Sequence, residues 1–148
     1  DSVNSVAVDS QFNVYAGDYA DYVTKLDSMG KQVWQWKTSS AVNTVAVDSL
    51  FNVYSGDNGN HVTKLDINGN KVWQWTAPSA VYSVAVDSQF NVYAGDNGNN
   101  VTKLDSNGNK VWQWTAPSIV NSVAVDSQFN VYAGDNANHV TKLQTVRK

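Results

Sequence analysis

Apolar and polar residues alternate in short runs along this chain, and apolar residues nowhere recur at the three-and-four spacing of a helix. Over 81–114 the alternation falls into four pieces. "VYSVAVD" (81–87) predicts strand a, "VYAGD" (92–96) strand b, "VTKLD" (101–105) strand c and "KVWQW" (110–114) strand d. Successive side chains of a strand leave opposite faces. Strand a therefore sets Val84 and Val86 on one face and Ser83 and Ala85 on the other, and the small face suits a crowded innermost strand. Between the runs lie "SQFN", "NGNN" and "SNGN". Asn-Gly between two alternating runs signals a hairpin, because both residues tolerate positive φ. "TAPS" leads out, its Pro117 unsuited to a central strand.

The pattern then repeats. "SVAVDSQFNVYAGD" begins at Ser5, Ser83 and Ser122, and "TVAVDSLFNVYSGD" at Thr44, so one unit recurs every 39 residues. Residues 1–39, 40–78 and 79–117 are complete copies, and 118–148 is a fourth, cut short. The second and third differ only at Asn43/Tyr82, Thr44/Ser83, Leu50/Gln89, Ser55/Ala94, His61/Asn100 and Ile67/Ser106. Four short antiparallel strands at this period predict an all-β fold. The expectation is a β-propeller, or an arc of one, with four four-stranded blades in one domain over 1–148.

"KVWQWTAPS" stands at 71–79 and 110–118, with "QVWQWKTSS" at 32–40, but after Leu143 the chain reads "QTVRK". The last blade is therefore expected to lack its outer strand and to leave strand c as an edge, which invites pairing. Three outcomes are open: a three-stranded terminal blade, residues upstream of Asp1 in the natural product, or closure of the ring by another subunit. Two copies would supply eight blades, though neither carries the absent strand. Trp112 and Trp114, two apart, leave the same face of strand d. At about 150–250 Å² per indole and roughly 25 cal/mol/Å², such a pair offers at most about 7–12 kcal/mol of gross burial. The expectation for the six Trp is packing between blades, the alternative being stacking on sugars.

Two segments resemble known families. "SVAVDSQFNVYAGDNGNNVTKLD" (83–105) resembles the NHL-type repeat, whose usual form is VAVD-x-x-GNVYVAD-x-x-NxR. "KLDSNGNKVW" (103–112) is similar to the tryptophan-docking segment of PQQ-type propeller repeats, in which an Asp, a Gly and a later Trp lock successive blades. The resemblance covers all four copies and implies a propeller; it is a poor guide to function, because propellers host many unrelated functions. Two departures stand out. The glycine expected in the first turn is Phe12, Phe51, Phe90 and Phe129, and the NHL arginine is Val or Thr. Four near-identical blades offer no distinct constellation for a quinone and its metal, so no cofactor is expected.

Composition narrows the partners. Ten Lys and Arg against thirteen Asp and Glu give a net charge of −3 with no basic run, which argues against nucleic acid. There is no cysteine, hence no disulfide or thiolate chemistry. No apolar run approaches the roughly 20 residues of a membrane helix, and no membrane insertion is expected. The chain begins at Asp1, consistent with a mature form or part of something longer.

Candidate chemistry is sparse. Asp9, Asp48, Asp87 and Asp126 end strand a, and Asp18, Asp57, Asp96 and Asp135 end strand b. Repeated acids at turns read as local Asx caps rather than as a catalytic pair, and no enzyme is expected. His61 and His139 share one slot two copies apart and read as solvated loop histidines, with no metal expected. "DINGN" (66–70) and "DSNGN" (105–109) open like a calcium loop, but Lys71 and Lys110 replace its glycine and Ala77 and Ala116 its distal glutamate. They read as hairpin turns. "NVT" (100–102) is a lone glycosylation triplet in a b–c loop, where a surface position is expected.

The sharper signal is where the copies disagree. The b–c loop reads "YADY" (19–22), "NGNH" (58–61), "NGNN" (97–100) and "NANH" (136–139), and strand a opens with Asn4, Asn43, Tyr82 or Asn121. In a propeller both sites reach one rim. Drift at exposed positions and a binding face both fit. On the second reading the ligand residues are Tyr19, Tyr22, Asn58, Asn60, His61, Tyr82, Asn97, Asn100, Asn136 and His139. Amides, hydroxyls and rings suit hydroxyl-rich ligands. The expectation is a non-catalytic, multivalent module for glycans or surface adhesion, extracellular or on a cell or virion surface. The alternative is a structural or assembly protein using its faces or open blade edges, including a homo-oligomer that closes the ring. The opposite face is expected to carry the four turn phenylalanines, either tucked beneath a blade or docked on another protein.

Overall fold

In the computed structural model, which describes residues 1–143, the four predicted runs become strands in each complete copy. Blade 1 comprises β1 (Val3–Val8), β2 (Val14–Asp18), β3 (Tyr22–Leu26) and β4 (Gln32–Lys37). Blade 2 comprises β5 (Val42–Val47), β6 (Val53–Asp57), β7 (His61–Leu65) and β8 (Lys71–Thr76). Blade 3 comprises β9 (Val81–Val86), β10 (Val92–Asp96), β11 (Asn100–Leu104) and β12 (Lys110–Thr115). Blade 4 has β13 (Val120–Val125), β14 (Val131–Asp135) and β15 (Val140–Lys142), a three-stranded sheet among the described residues. "QTVRK" lies outside them. Every neighbouring pair is antiparallel, and spatial order follows chain order.

One turn chemistry closes all the hairpins. An Asp at the end of each strand accepts, on Oδ1, the backbone N–H four residues on and in most turns also the N–H two residues on: Asp48 from Leu50 and Asn52, Asp66 from Asn68 and Asn70, Asp96 from Gly98 and Asn100. The residue three after the Asp is left-handed: Phe51 (φ 66°), Asn60 (φ 73°) and Gly69 (φ 82°) in blade 2. This corrects the Asn-Gly reading. Asn68 does not take positive φ; Gly69 N–H donates to Asp66 O, and Gly69 alone is left-handed, with a register shift beside it. That is a one-residue bulge hairpin instead of a two-residue turn. The same aspartate geometry accounts for the calcium-like pentads, since Oδ1 of Asp66 and Asp105 is turned onto its own turn amides.

Left-handed backbone costs an L-residue about 1–2 kcal/mol, and the phenylalanines bear it. Phe12 is 72% exposed, so its ring recovers little by burial, whereas Phe51, Phe90 and Phe129 are half-buried. Phe12→Gly is expected to stabilise the chain by about 0.5–1 kcal/mol in urea unfolding, the relief of strain exceeding glycine's extra unfolded-state entropy. A loss instead would mean that the exposed ring makes a stabilising contact.

The blades stack face to face and share no single core. Three clusters fill three seams: Tyr15, Val23, Val42, Val45, Val53 and Leu65 between blades 1 and 2, and their equivalents between 2 and 3 and between 3 and 4. Strand a contributes to two seams at once, one through each face. Its Val face meets the preceding blade and its alanine the following one, as Val47 and Ala46 do. Strand b carries a glycine because the next blade's valine sits against it: a Cβ on Gly17 would stand 2.4 Å from Val42 Cγ1. Farther out, the indole of Trp34 lies over Gly69 of the next blade, and its Nε1 donates to Ile67 O at 3.0 Å; Trp73 repeats this with Gly108 and Ser106 O at 3.1 Å. The docking expected of the PQQ-type segment is what the seams contain. Among the described residues the stack does not close on itself: β1 packs on β5 and β13 on β9, but β1 and β13 form no seam.

Candidate binding rim

The b–c loop, the start of strand a and the end of strand d meet on one rim of each blade. In blade 2, Val42 pairs with Asp57 and His61 with Thr76, Asn58 N–H donates to Ala41 O at 3.0 Å, and Ala77 N–H to Asn60 O at 2.6 Å. The divergent positions therefore do converge, but not all face water.

Tyr19 is 53% exposed, and Asn58, Asn97, Asn136 and His139 are exposed. Tyr22, Asn60, His61 and Tyr82 are half-buried. Tyr22 lies under the Lys37 ammonium, 5.2 Å from its ring centre. Asn60 is spent on the turn as its left-handed residue. Asn100 departs from expectation: it is 7% exposed, and its Nδ2 donates to both oxygens of Asp96 at 3.3 Å. The glycosylation triplet thus begins on a buried, engaged amide rather than at a surface position. Asn100 opens β11, where the register points its side chain back at the strand-ending aspartate.

The histidines are separated on blades 2 and 4, each beside its own blade's acid. His61 Nδ1 lies 3.3 Å from Asp57 Oδ1 without hydrogen-bond geometry, and His139 Nδ1 lies 3.1 Å from Asp135 Oδ2. Burial pushes the Asp135 carboxyl up, but the amides of His139 and Ala137 and the His139 ring outweigh it and hold it below the ordinary value. Asp57 is also latched across the seam by Thr38 Oγ1 at 2.8 Å. Blades 2 and 3 have Ala77 and Ala116 in the threonine's place.

Two sets of residues had functions that sequence reasoning missed. Asn4 Nδ2 donates to Val42 O at 2.9 Å and Asn43 Nδ2 to Val81 O at 3.0 Å, so these strand-a asparagines tie blade 1 to blade 2 and blade 2 to blade 3. Asn43 Nδ2 also donates to Asn58 Oδ1 at 2.7 Å, and Asn121 Nδ2 to Asn136 Oδ1, which orients the exposed amides of two loops. Tyr82 replaces this asparagine in the third copy, and that variation was the available signal.

On the opposite face, the a–b aspartates anchor a buried tyrosine. Asp48 Oδ2 accepts from Tyr54 OH at 2.7 Å and from Asn52 Nδ2 at 3.0 Å, and Asp9 and Asp87 repeat the set. Burial, then the hydrogen bond to the carboxylate and its charge, pushes the hydroxyls of Tyr15, Tyr54 and Tyr93 far above that of free tyrosine. In blade 4 the side chain and amide of Asn130 draw Asp126 down to about 2. These acids are engaged by donors, and their chemistry is that of caps. Among the described residues no three His, Asp or Glu form a metal-holding group.

The fold defines a four-blade stretch of a β-propeller. A family model described as outer membrane protein assembly factor BamB, of the PQQ-like repeat type, matches residues 2–145, and the chain belongs to this family. No curated protein matches it in sequence. Among solved structures it is similar to the computationally designed Ika4 protein, at 17% identity and TM-score 0.87 over 97% of this chain and 91% of that one. It is also similar to the WD40 β-propeller domain of Doa1, at 19% identity and TM-score 0.85, over 94% of this chain and 49% of that one. The designed Ika8 protein aligns at 18% identity and TM-score 0.85, over 96% of this chain and 45% of that one. The chain thus spans slightly less than half of the last two.

Proposed function

We propose that this chain is a non-catalytic, multivalent binding module whose b–c rim takes hydroxyl-rich ligands, surface glycans being the class its chemistry fits. The observation behind this reading is the place where near-identical copies diverge. The strands and turns are nearly constant, while on one rim the exposed slot that opens the b–c loop holds Tyr19 in the first copy and Asn58, Asn97 and Asn136 in the others, and the slot three residues on reads Tyr22, His61, Asn100 and His139. Primary amides offer paired donors and acceptors, and Tyr19 offers a stacking face. The engagement of the turn aspartates with their own amides and tyrosines supports the absence of catalysis. Repeated shallow sites gain apparent affinity of about 10²–10⁴-fold on a ligand array.

A glycan array probed with the folded chain tests this. Binding is expected, and the triple variant Asn58→Ala/Asn97→Ala/Asn136→Ala is expected to lose at least about tenfold in apparent affinity on a dense array. Folded protein with no hits would sink the reading. A second reading, assembly through the ends of the arc, is favoured by a different observation: the valines of β1 are uncovered, whereas those of β5, β9 and β13 are largely covered.

A further inference from the structure

The three seams are copies of one interface, and the two ends of the arc are its unmated halves. At the head, Val3, Val6 and Val8 of β1 are 58%, 67% and 61% exposed, while their equivalents Val42 and Val45 are 0% and 7% exposed against blade 1. At the tail, Gly134 occupies the place of Gly17, Gly56 and Gly95. Each of those three holds a valine of the next blade so closely that a Cβ would come within 2.4–2.5 Å of it. A Cβ on Gly134 meets nothing nearer than Ser122 Cβ at 4.0 Å. Val140 is 84% exposed, where Val23, Val62 and Val101 are fully covered.

The polar contacts are split in the same way. Val45 N–H donates to Ser5 Oγ, Val84 N–H to Thr44 Oγ1 and Val123 N–H to Ser83 Oγ, at 3.1–3.3 Å. The next bond in this series joins Val6 N–H to Ser122 Oγ, which stand at opposite ends of the arc. The asparagine series continues likewise, from Asn121 Nδ2 to Val3 O. Apolar relief and both polar pairs are thus complementary between tail and head.

We infer that two copies of this chain associate head to tail, β1 of each against blade 4 of the other, and close a ring of eight blades. A head-to-tail contact closes when its rotation returns to the start. Curvature sets the number. This arc overlays slightly less than half of the Doa1 WD40 domain and of Ika8 at TM-score 0.85, so one further arc of equal size completes the circle. Both seams form together, and the second gains from the first being in place. They are thinner than the internal seams. Gly30 has nothing within 4 Å where Gly69 and Gly108 each carry an indole from the preceding blade, and blade 4 has no described outer strand to supply one.

Light scattering on the eluting 148-residue chain is the test, and it needs no glycan. The expected mass is twice the 16.2 kDa of one chain. Val6→Asp at the head and Gly134→Val at the tail should each give a monomer with unchanged far-ultraviolet circular dichroism, because both sites are open in the single arc. Mixing the two variants should recover part of the dimer, since each brings the sound half of one seam. A wild-type monomer overturns the inference, and so does a mass that climbs past the dimer with concentration, which marks an open filament. A dimer that survives Gly134→Val also overturns it, since association then uses another surface.

Discussion

Trp73→Ala is expected to destabilise the chain by about 3 kcal/mol in urea unfolding, among the largest losses any single side chain here can cause. Truncating a buried Trp costs about 3–5 kcal/mol, and the half-burial of Trp73 places it at the low end. Three losses coincide. The indole leaves the face of Gly108, Ser106 O loses its donor at 3.1 Å, and Tyr54 loses a ring 6.2 Å away. Trp34→Ala should cost about as much, because Gly69, Ile67 O and Tyr15 repeat the setting. A cost below about 1 kcal/mol at both sites would show that the inner valines alone hold the blades together.

Asp48→Ala is expected to cost at least about 3 kcal/mol, because hydrogen bonds to a buried charged acceptor contribute about 1.5–3 kcal/mol each and are not additive. Its carboxylate is 7% exposed and accepts from Leu50 N–H, Asn52 N–H, Asn52 Nδ2 and Tyr54 OH. The change strands the Tyr54 hydroxyl in a fully buried place. Tyr54→Phe removes one of those bonds and should cost about 1.5–2 kcal/mol. Asp66→Ala is the contrast: the same turn geometry stands at the surface, where water replaces the carboxylate, and a clearly smaller cost than for Asp48→Ala is expected. Equal costs for Asp48→Ala and Asp66→Ala in denaturant titrations would refute the claim that burial separates the two turns.

The contrast shows how much of the molecule was legible in advance. "DSLFN" and "DINGN" present the same aspartate and asparagine four positions apart, and both do form the same turn. Nothing in the pentads says that Tyr54 will reach back to the first aspartate, while the second receives a side-chain bond only from its own Asn70. Strand order, the docking of Trp34 and Trp73, and the rim were readable because repetition multiplies each local signal. Asn100 was misread because its partner, Asp96, is brought over it by the b–c register. Asparagine in a loop composition does not reveal which way it points.

The sequence by itself determined the blade: alternation assigned the strands, an aspartate set each turn, and the 39-residue period dictated that one unit be used four times. These are local properties, fixed by φ/ψ preferences and hydrogen bonds within a few residues. Only the tertiary structure decided that the four units stop short of a circle. Closure depends on the angle between stacked blades, a small rotation set by side-chain packing at every seam and summed around the axis. No residue encodes that sum. It appears as Val6 in water and Val45 out of it, within the nearly identical "SVAV" and "TVAV" surroundings.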